Sequence, residues 1–174
     1  DIGRRTTDGK AGVRVTVLNR NGDSSFDEHN RTNSLAIGAD YQGECYRIGF
    51  DYGYAYNNVS DQQYQVTLSK AAVRSGWGAM PRISRDTKFG AYGGYRTLHE
   101  HYGMISGEYD FSKNWMGFLK FGMRTTKMES IDNNFAVNRA DGRTGVTYNY
   151  KNQLNKADSV EFGVRGKVQT GSLK

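Results

Sequence analysis

The sequence has 174 residues, enough for one domain with a core, and its 24 basic and 18 acidic side chains give a net charge of +6. A hydrophobic fraction of 36% and a mean hydropathy of −0.76 exclude a helical membrane protein, because no stretch is apolar enough for a transmembrane helix. The basic residues are scattered without a run of five, which argues against nucleic acid as a partner.

Period-two alternation of apolar and polar residues is the main signal, and it predicts β-strands. In 46–56, tyrosines, Ile48 and Phe50 form one face, while Arg47, Asp51, glycines and Ala55 form the other. The same pattern predicts further strands, less cleanly in 99–111. The predicted strands are 12–20, 34–42, 46–56, 99–111, 115–124, 146–151 and 160–168.

The distribution of charges between the two faces distinguishes a membrane β-barrel from a water-soluble β-sandwich. In the six clean strands every charge falls on one face, as expected if the other face meets lipid, where a mid-bilayer Lys or Arg costs roughly 2–4 kcal/mol. The strands are also long for a soluble sheet, and tyrosine and tryptophan lie toward their ends. We therefore predict an all-β fold, an antiparallel transmembrane β-barrel segment.

Connection lengths support the same prediction. Short turns are expected at 43–44, 112–114 and about 152–157, and they alternate with long polar loops at about 21–31, 58–98 and 129–142. Outer-membrane barrels have short periplasmic turns and long extracellular loops. About seven strands cannot close a single-chain bacterial barrel, and the chain ends at Lys174 without a terminal aromatic residue, so we expect a fragment of a larger protein.

Several short segments resemble TonB-dependent siderophore receptors in the right order along the chain. They are Asp1-Ile2-Gly3-Arg4-Arg5, Gly12-Val13-Arg14-Val15, Arg20-Asn21-Gly22-Asp23, Asp40-Tyr41-Gln42-Gly43-Glu44, Tyr102-Gly103, Gly107-Glu108-Tyr109-Asp110-Phe111-Ser112, Gly163-Val164-Arg165-Gly166-Lys167 and Thr170-Gly171. The resemblance implies early-to-middle strands of a 22-stranded barrel in the bacterial outer membrane. Residues 1–174 would then form a partial barrel domain, without the plug domain, the TonB box and the later strands.

The resemblance also implies the function and partners. The intact receptor would bind ferric siderophores and import them with energy passed on by TonB, in contact with its plug, outer-membrane lipid and lipopolysaccharide. Iron would arrive already chelated, so no cofactor is expected. No hydrolase motif, P-loop or dinucleotide fingerprint is present, and we predict that the protein is not an enzyme. A fragment of a passive pore or a small adhesive barrel is the alternative.

The 58–98 loop holds the predicted ligand contacts, because aromatic rings and guanidinium groups suit flat, often anionic chelates. These residues are Trp77, Arg82, Arg85, Tyr92 and Tyr95, and Arg96 lies in the same loop. The alternative is that they pack the loop on itself or contact lipopolysaccharide. A small hairpin is expected at 64–68 within the loop.

His99 and His101 share a strand face, but zinc sites generally need three or four protein ligands, so we interpret them as interfacial polar residues.

The predicted lumen face carries more bases than acids. The bases are Arg14, Arg47, Lys120, Arg124, Lys151, Arg165 and Lys167, and the acids are Asp40, Asp51 and Glu161. A basic wall would attract anionic chelates. The preferred interpretation is structural: these side chains form salt bridges and hydrogen bonds to the plug of the parent protein.

Overall fold

A computed structural model describes residues 1–24, 28–62, 66–70, 74, 93–137, 146–168 and 171. They form one sheet of eight strands. The strands are β1 (Ile2–Arg5), β2 (Ala11–Asp23), β3 (His29–Gln42), β4 (Tyr46–Ser60), β5 (Val66–Leu68), β6 (Tyr95–Ser112), β7 (Trp115–Val137) and β8 (Val146–Gly166). Seven are antiparallel to their neighbours, in the order β1-β2-β3-β4-β6-β7-β8, and only the short β5 pairs parallel, with the end of β7.

The register aligns the predicted apolar positions across the whole sheet. One row of paired residues runs Val13, Ala39, Phe50, Ile105, Phe121 and Val160. The next row, on the opposite face, runs Arg14, Gly38, Asp51, Met104, Gly122 and Ser159. The sheet therefore has an apolar face and a polar face, as the alternation predicts.

The apolar face is not covered by another layer of the described chain. Phe162 is 79% exposed and Leu119 is 57% exposed, whereas Val59 and Val137 are the buried hydrophobic residues of the described part. A water-soluble sheet would bury these side chains in a core. The exposed apolar face fits a wall whose outer surface is covered by lipid.

The strands are longer than a membrane requires. Crossing a bilayer takes about 9–11 tilted residues, whereas β7 has 23 residues and β8 has 21. Beyond Met123, the apolar face of β7 continues with Thr125, Lys127 and Glu129, so the strand leaves the apolar band while its ladder continues. The halves of the strands nearer the long connections therefore extend past the apolar band.

Two predicted connections are wrong. The turn expected at about 152–157 lies within β8, where Asn152–Lys156 pair residue by residue with Thr125–Glu129 of β7. The hairpin expected at 64–68 is replaced by β5, which pairs with Phe135–Val137, while residues 64 and 65 lie outside the described residues.

The long loops are also shorter than predicted, because the strands continue through their ends. β4 reaches Ser60 and β6 begins at Tyr95, so the largest connection spans 61–94, and β5 lies within it. β2 reaches Asp23, β3 begins at His29 and β7 reaches Val137. The predicted number of strands, seven, equals the number of antiparallel strands because two differences cancel. The predicted strands 146–151 and 160–168 are both part of β8, and β1 was not predicted.

Short turns lie at one end of the sheet, as predicted for two of them. They span 6–10, 43–45 and 113–114, whereas the connections at the other end span 24–28, 61–94 and 138–145.

In the first turn, the Asp8 carboxylate accepts hydrogen bonds from the Thr6 hydroxyl (2.5 Å) and the Lys10 amide (3.1 Å), and Gly9 has a φ of 72°. These two bonds lower the pKa of Asp8.

Candidate functional site

Ion pairs between neighbouring strands cover the polar face. Its described pairs are Arg5–Asp40, Arg14–Asp1, Arg47–Glu108, Arg47–Asp110, Lys120–Glu161, Arg124–Glu100 and Lys151–Asp132. Glu100, Asp110 and Asp132 are acids of this face that the alternation pattern did not assign to it. Five of the seven bases named from the sequence therefore find a carboxylate within the wall itself. The predicted surplus of positive charge is largely neutralised there.

Arg47 makes the densest of these contacts. Its Nε donates to Glu108 Oε2 at 2.7 Å, while Nη1 and Nη2 donate to the two carboxylate oxygens of Asp110 at 2.8 and 2.7 Å. All three side chains are about one-third exposed, so the bonds are only partly screened by solvent. The cluster joins β4 to β6 next to the short turns.

Arg165 is held on the polar face without a carboxylate partner among the described residues. Its guanidinium lies 4.6 Å from the centroid of the Phe118 ring, and Lys120 Nζ lies 5.6 Å from the same centroid. The ring itself covers Gly163, where an added Cβ would lie 2.8 Å from Phe118 Cζ. Both cations lie within cation–π distance of the Phe118 ring, and Lys120 is also paired with Glu161.

A groove of about 490 Å³ lies on the polar face of β1 to β4. Gly12 and Gly49 lie in its floor, where an added Cβ would come within 2.8 Å of the Asp40 carboxylate and 2.6 Å of the Ser106 hydroxyl. Arg5, Arg14 and Asp51 also line the groove. The missing Cβ atoms let the ion-paired side chains lie flat on the sheet.

The loop-bearing end holds the predicted ligand contacts. Trp77, Arg82, Arg85 and Tyr92 lie outside the described residues, so their contact with a ligand stays a prediction. The two ends of the 61–94 connection are joined by a hydrogen bond that the Asp61 backbone amide donates to the Gly94 carbonyl at 2.9 Å. Tyr95 and Arg96 were expected in the loop, but they lie in β6.

Tyr95 has a partner in the wall. Its hydroxyl donates to Glu129 Oε1 at 3.0 Å, and the Tyr150 hydroxyl donates to the same oxygen at 3.2 Å. The carboxylate raises the pKa of Tyr95 mainly through this hydrogen bond, whereas burial is the larger cause of the raised pKa of Tyr150. The group lies beyond the apolar band. Ligand contact by Tyr95 therefore stays a prediction, and the structure shows a wall contact.

His99 and His101 share the apolar face of β6, as predicted, and tyrosines of β4 surround them. Tyr52 Oη lies 3.0 Å from His101 Nδ1, and Tyr54 Oη lies 3.4 Å from His99 Nδ1. The ring centroids of Tyr54 and His101, and of Tyr56 and His99, are each 4.9 Å apart. The sequence shows both alternating rows, but only the register of β4 with β6 shows that they meet.

The described residues offer no resident metal site: they contain no group of three or more His, Cys, Asp or Glu side chains that could hold an ion. Cys45 is exposed in the short turn between β3 and β4. No helix in the described part of the chain is long and apolar enough to cross a membrane.

Comparison with known proteins gives one curated relative and several solved structures. No family model matches the chain. The ferrichrome receptor FcuA of Yersinia enterocolitica is 29% identical over 178 aligned residues, which cover 99% of this chain and 22% of FcuA. The chain thus spans about a fifth of the length of that relative.

The solved structures share the fold. The ferric preacinetobactin receptor BauA of Acinetobacter baumannii matches 98% of this chain with a TM-score of 0.80 and 26% identity, over 25% of its own length. The ferric-catecholate import receptor Fiu of E. coli K12 matches in its closed and open forms with TM-scores of 0.80 and 0.81, each at 13% identity. Those matches cover 99% and 98% of this chain, and 27% and 29% of Fiu. The resemblance to TonB-dependent siderophore receptors is confirmed, and so is the predicted fold class of an antiparallel β-barrel segment.

Proposed function

We propose that this chain is a stretch of barrel wall from an outer-membrane receptor that binds ferric siderophores and imports them. The observation that carries the proposal is similarity to siderophore receptors over nearly the whole chain, with FcuA in sequence and BauA in structure. The two faces support it independently, because an uncovered apolar surface suits lipid and an ion-paired polar surface suits a filled or watery lumen.

We assign the short-turn end to the periplasm and the end with the long connections to the cell exterior. Outer-membrane barrels place their long loops outside. The loop that contains Trp77, Arg82, Arg85 and Tyr92 would then face incoming chelates. Iron enters already bound by its siderophore, so the wall needs no metal site and no catalytic group of its own.

The polar face would contact a plug domain contributed by another part of the parent protein, which engages TonB. Support comes from its chemistry: neighbouring carboxylates neutralise most of its bases, and its glycine-floored groove is open for a polar segment. A uniformly basic, unpaired lining would instead have suited an anion-selective passive pore.

Uptake of a radiolabelled ferric siderophore by iron-starved cells that carry the intact receptor tests the function. Ferrichrome and a catecholate chelate serve as two separate probes. A TonB-dependent receptor should accumulate one of them inside the cell, and a protonophore should abolish accumulation while surface binding remains. A passive pore would admit small solutes in the presence of the protonophore, and that result would overturn the proposal.

Variants in the loop test the ligand contacts. Trp77→Ala and the pair Arg82→Gln and Arg85→Gln should each weaken surface binding of the chelate by about tenfold, since each removes a stacking or charge-assisted contact. Arg31→Gln provides a control, because Arg31 is exposed at the same end of the sheet but lies on its apolar face. If Trp77→Ala and the paired arginine variant both bind as the parent does, the loop assignment is wrong.

A further inference from the structure

His99 and His101 project from the same face of β6, just beyond the apolar band and toward the long connections. Residues two positions apart in a strand lie about 6.8 Å from each other, because each residue adds about 3.4 Å. Two imidazoles at that spacing can lean together until one metal ion lies about 2.0–2.1 Å from a nitrogen of each ring. His101 is exposed and His99 is half-buried, so water reaches the pair.

Tyrosines of β4 occupy one nitrogen of each histidine ring. Tyr52 Oη lies 3.0 Å from Nδ1 of His101, and Tyr54 Oη lies 3.4 Å from Nδ1 of His99. Tyr54 contacts both rings, since its own ring centroid is 4.9 Å from that of His101. The Nε2 atoms have no hydrogen-bond partner among the described residues, so each ring keeps one nitrogen for a further ligand.

The tyrosine hydroxyls suit histidines that bind a metal ion. A hydroxyl donates to Nδ1 when Nε2 carries the proton, and it accepts from the Nδ1–H group when Nε2 is a metal ligand. Metal-bound histidines usually donate their second ring N–H to such an acceptor, which fixes the orientation of the ring. Tyr52 is therefore placed to hold His101 with its Nε2 atom available to a metal ion.

We propose that His99 and His101 together bind a divalent transition-metal ion through their Nε2 atoms. Imidazole suits Cu²⁺, Ni²⁺ and Zn²⁺, and Cu²⁺ binds most tightly of the three to a given set of ligands. Two protein ligands leave the other coordination positions to water or to a small chelator, unlike the closed sites that hold structural zinc. The site lies on the face opposite the polar face, so it goes beyond the proposed siderophore uptake.

The charges around the pair distinguish a metal site from an anion site. Lys127 lies directly opposite His99 in the register, where paired side chains have Cβ atoms about 4.5–5.5 Å apart. Its ammonium group is exposed and repels a bound cation, so removal of this charge should strengthen metal binding. Glu129, two residues further along the same face of β7, already accepts hydrogen bonds from Tyr95 and Tyr150. The two histidines are therefore the protein ligands.

Pulsed electron paramagnetic resonance of the intact receptor in detergent tests the proposal, with cupric iminodiacetate as the probe. The chelator leaves coordination positions open for imidazoles, and the spectrum of the bound Cu²⁺ should show two of them. Titration of the probe gives its affinity. His99→Gln and His101→Gln should each weaken binding by about tenfold or more, because either variant loses the chelate formed by two linked ligands.

His29→Gln is the matched control, because His29 lies on the same face near the same end of the sheet, where its ring contacts Asp23 at 2.7 Å. It should bind the probe as the parent does. Tyr52→Phe should weaken binding about threefold or more, because it removes the acceptor for the His101 ring. Tyr56→Phe should have no effect, since the described contacts include no hydrogen bond from its hydroxyl to either histidine. Lys127→Gln should strengthen binding by about twofold.

Equal affinity in the parent and in both single variants of the histidine pair overturns the proposal. A spectrum with only one imidazole, or an equal loss of binding in His29→Gln, does the same. Weaker binding after Lys127→Gln would also contradict it, because a metal site should gain affinity when that charge is removed. Siderophore uptake, measured in parallel, should be normal in His99→Gln and His101→Gln. A parent protein that binds Cu²⁺ but imports no siderophore would therefore refute the proposed function alone.

Discussion

The guanidinium of Arg47 on β4 donates two parallel hydrogen bonds to the carboxylate of Asp110 on β6, at 2.8 and 2.7 Å. Because its Nε also reaches Glu108, one side chain neutralises two acids of the neighbouring strand. Removing it would leave two carboxylates close together on a partly buried wall.

Arg47→Met should therefore destabilise the intact receptor by about 1–2 kcal/mol, a value already reduced for the partial exposure of the group. Urea unfolding followed by tryptophan fluorescence would measure the change. Arg20→Met is the control, because Arg20 lies exposed on the same face without an ion pair in the described residues, and it should change stability by less than about 0.5 kcal/mol. Equal effects of the two variants would contradict a special role for Arg47.

Gly53 lies under the ring of Tyr102 on the neighbouring strand. An added Cβ would come within 2.1 Å of Tyr102 Cε1, so Gly53→Ala should displace the ring and cost about 1–3 kcal/mol of stability. Gly107→Ala is the matched control, since an added Cβ there meets no atom within 4 Å. Tyr102→Ala in the Gly53→Ala background should make the alanine at position 53 nearly neutral. A cost that persists without the ring would mean that backbone strain is responsible.

Tyr95 and Tyr150 share the Glu129 carboxylate, but their raised pKa values have different main causes. Glu129→Gln should lower the pKa of Tyr95 more than that of Tyr150, because the carboxylate is the main cause for the first and burial for the second. Carbon-13 NMR of labelled tyrosine during alkaline titration would follow both. Tyr95→Phe and Tyr150→Phe assign the two signals, and an equal shift of both would disprove the assignment of causes.

The raised pKa values of Tyr95 and Tyr150 also predict that the stability of the protein depends on pH. A tyrosine whose pKa is raised on folding contributes stability that is present below its unfolded pKa of about 10 and lost as the pH rises through the folded value. The parent should therefore lose more stability above pH 10 than Glu129→Gln does. Urea midpoints at pH 8 and in the alkaline range would show the difference, and parallel losses would exclude this contribution.

Cys45 reports the orientation of the sheet, because it is the one cysteine of the sequence and lies exposed in a short turn. If that turn faces the periplasm, a membrane-impermeant maleimide should label Cys45 only after the outer membrane is permeabilised. Asp141→Cys in a Cys45→Ser background should be labelled on intact cells. Labelling of Cys45 on intact cells would reverse the proposed orientation.

The sequence alone determined the strand character and the two faces. Alternation in 46–56 or 115–124 is a local property, since successive side chains of a strand must point to opposite sides. The turns at 43–45 and 113–114 were recognisable for the same reason, because polar and small residues interrupt the pattern there. Those predictions needed no knowledge of which strands are neighbours.

The tertiary structure decided what depends on neighbouring strands. Four of the five residues in Asn152–Lys156 are polar, so the stretch looks like a turn, yet the ladder with β7 holds it extended. The even-numbered apolar positions of β8 keep one phase on both sides of it. Arg47 and Asp110 are 63 positions apart in the sequence, and Tyr52 and His101 are 49 positions apart, so only the register of β4 against β6 could bring each pair together. Local pattern specifies the face of each side chain, whereas its partner depends on long-range strand pairing.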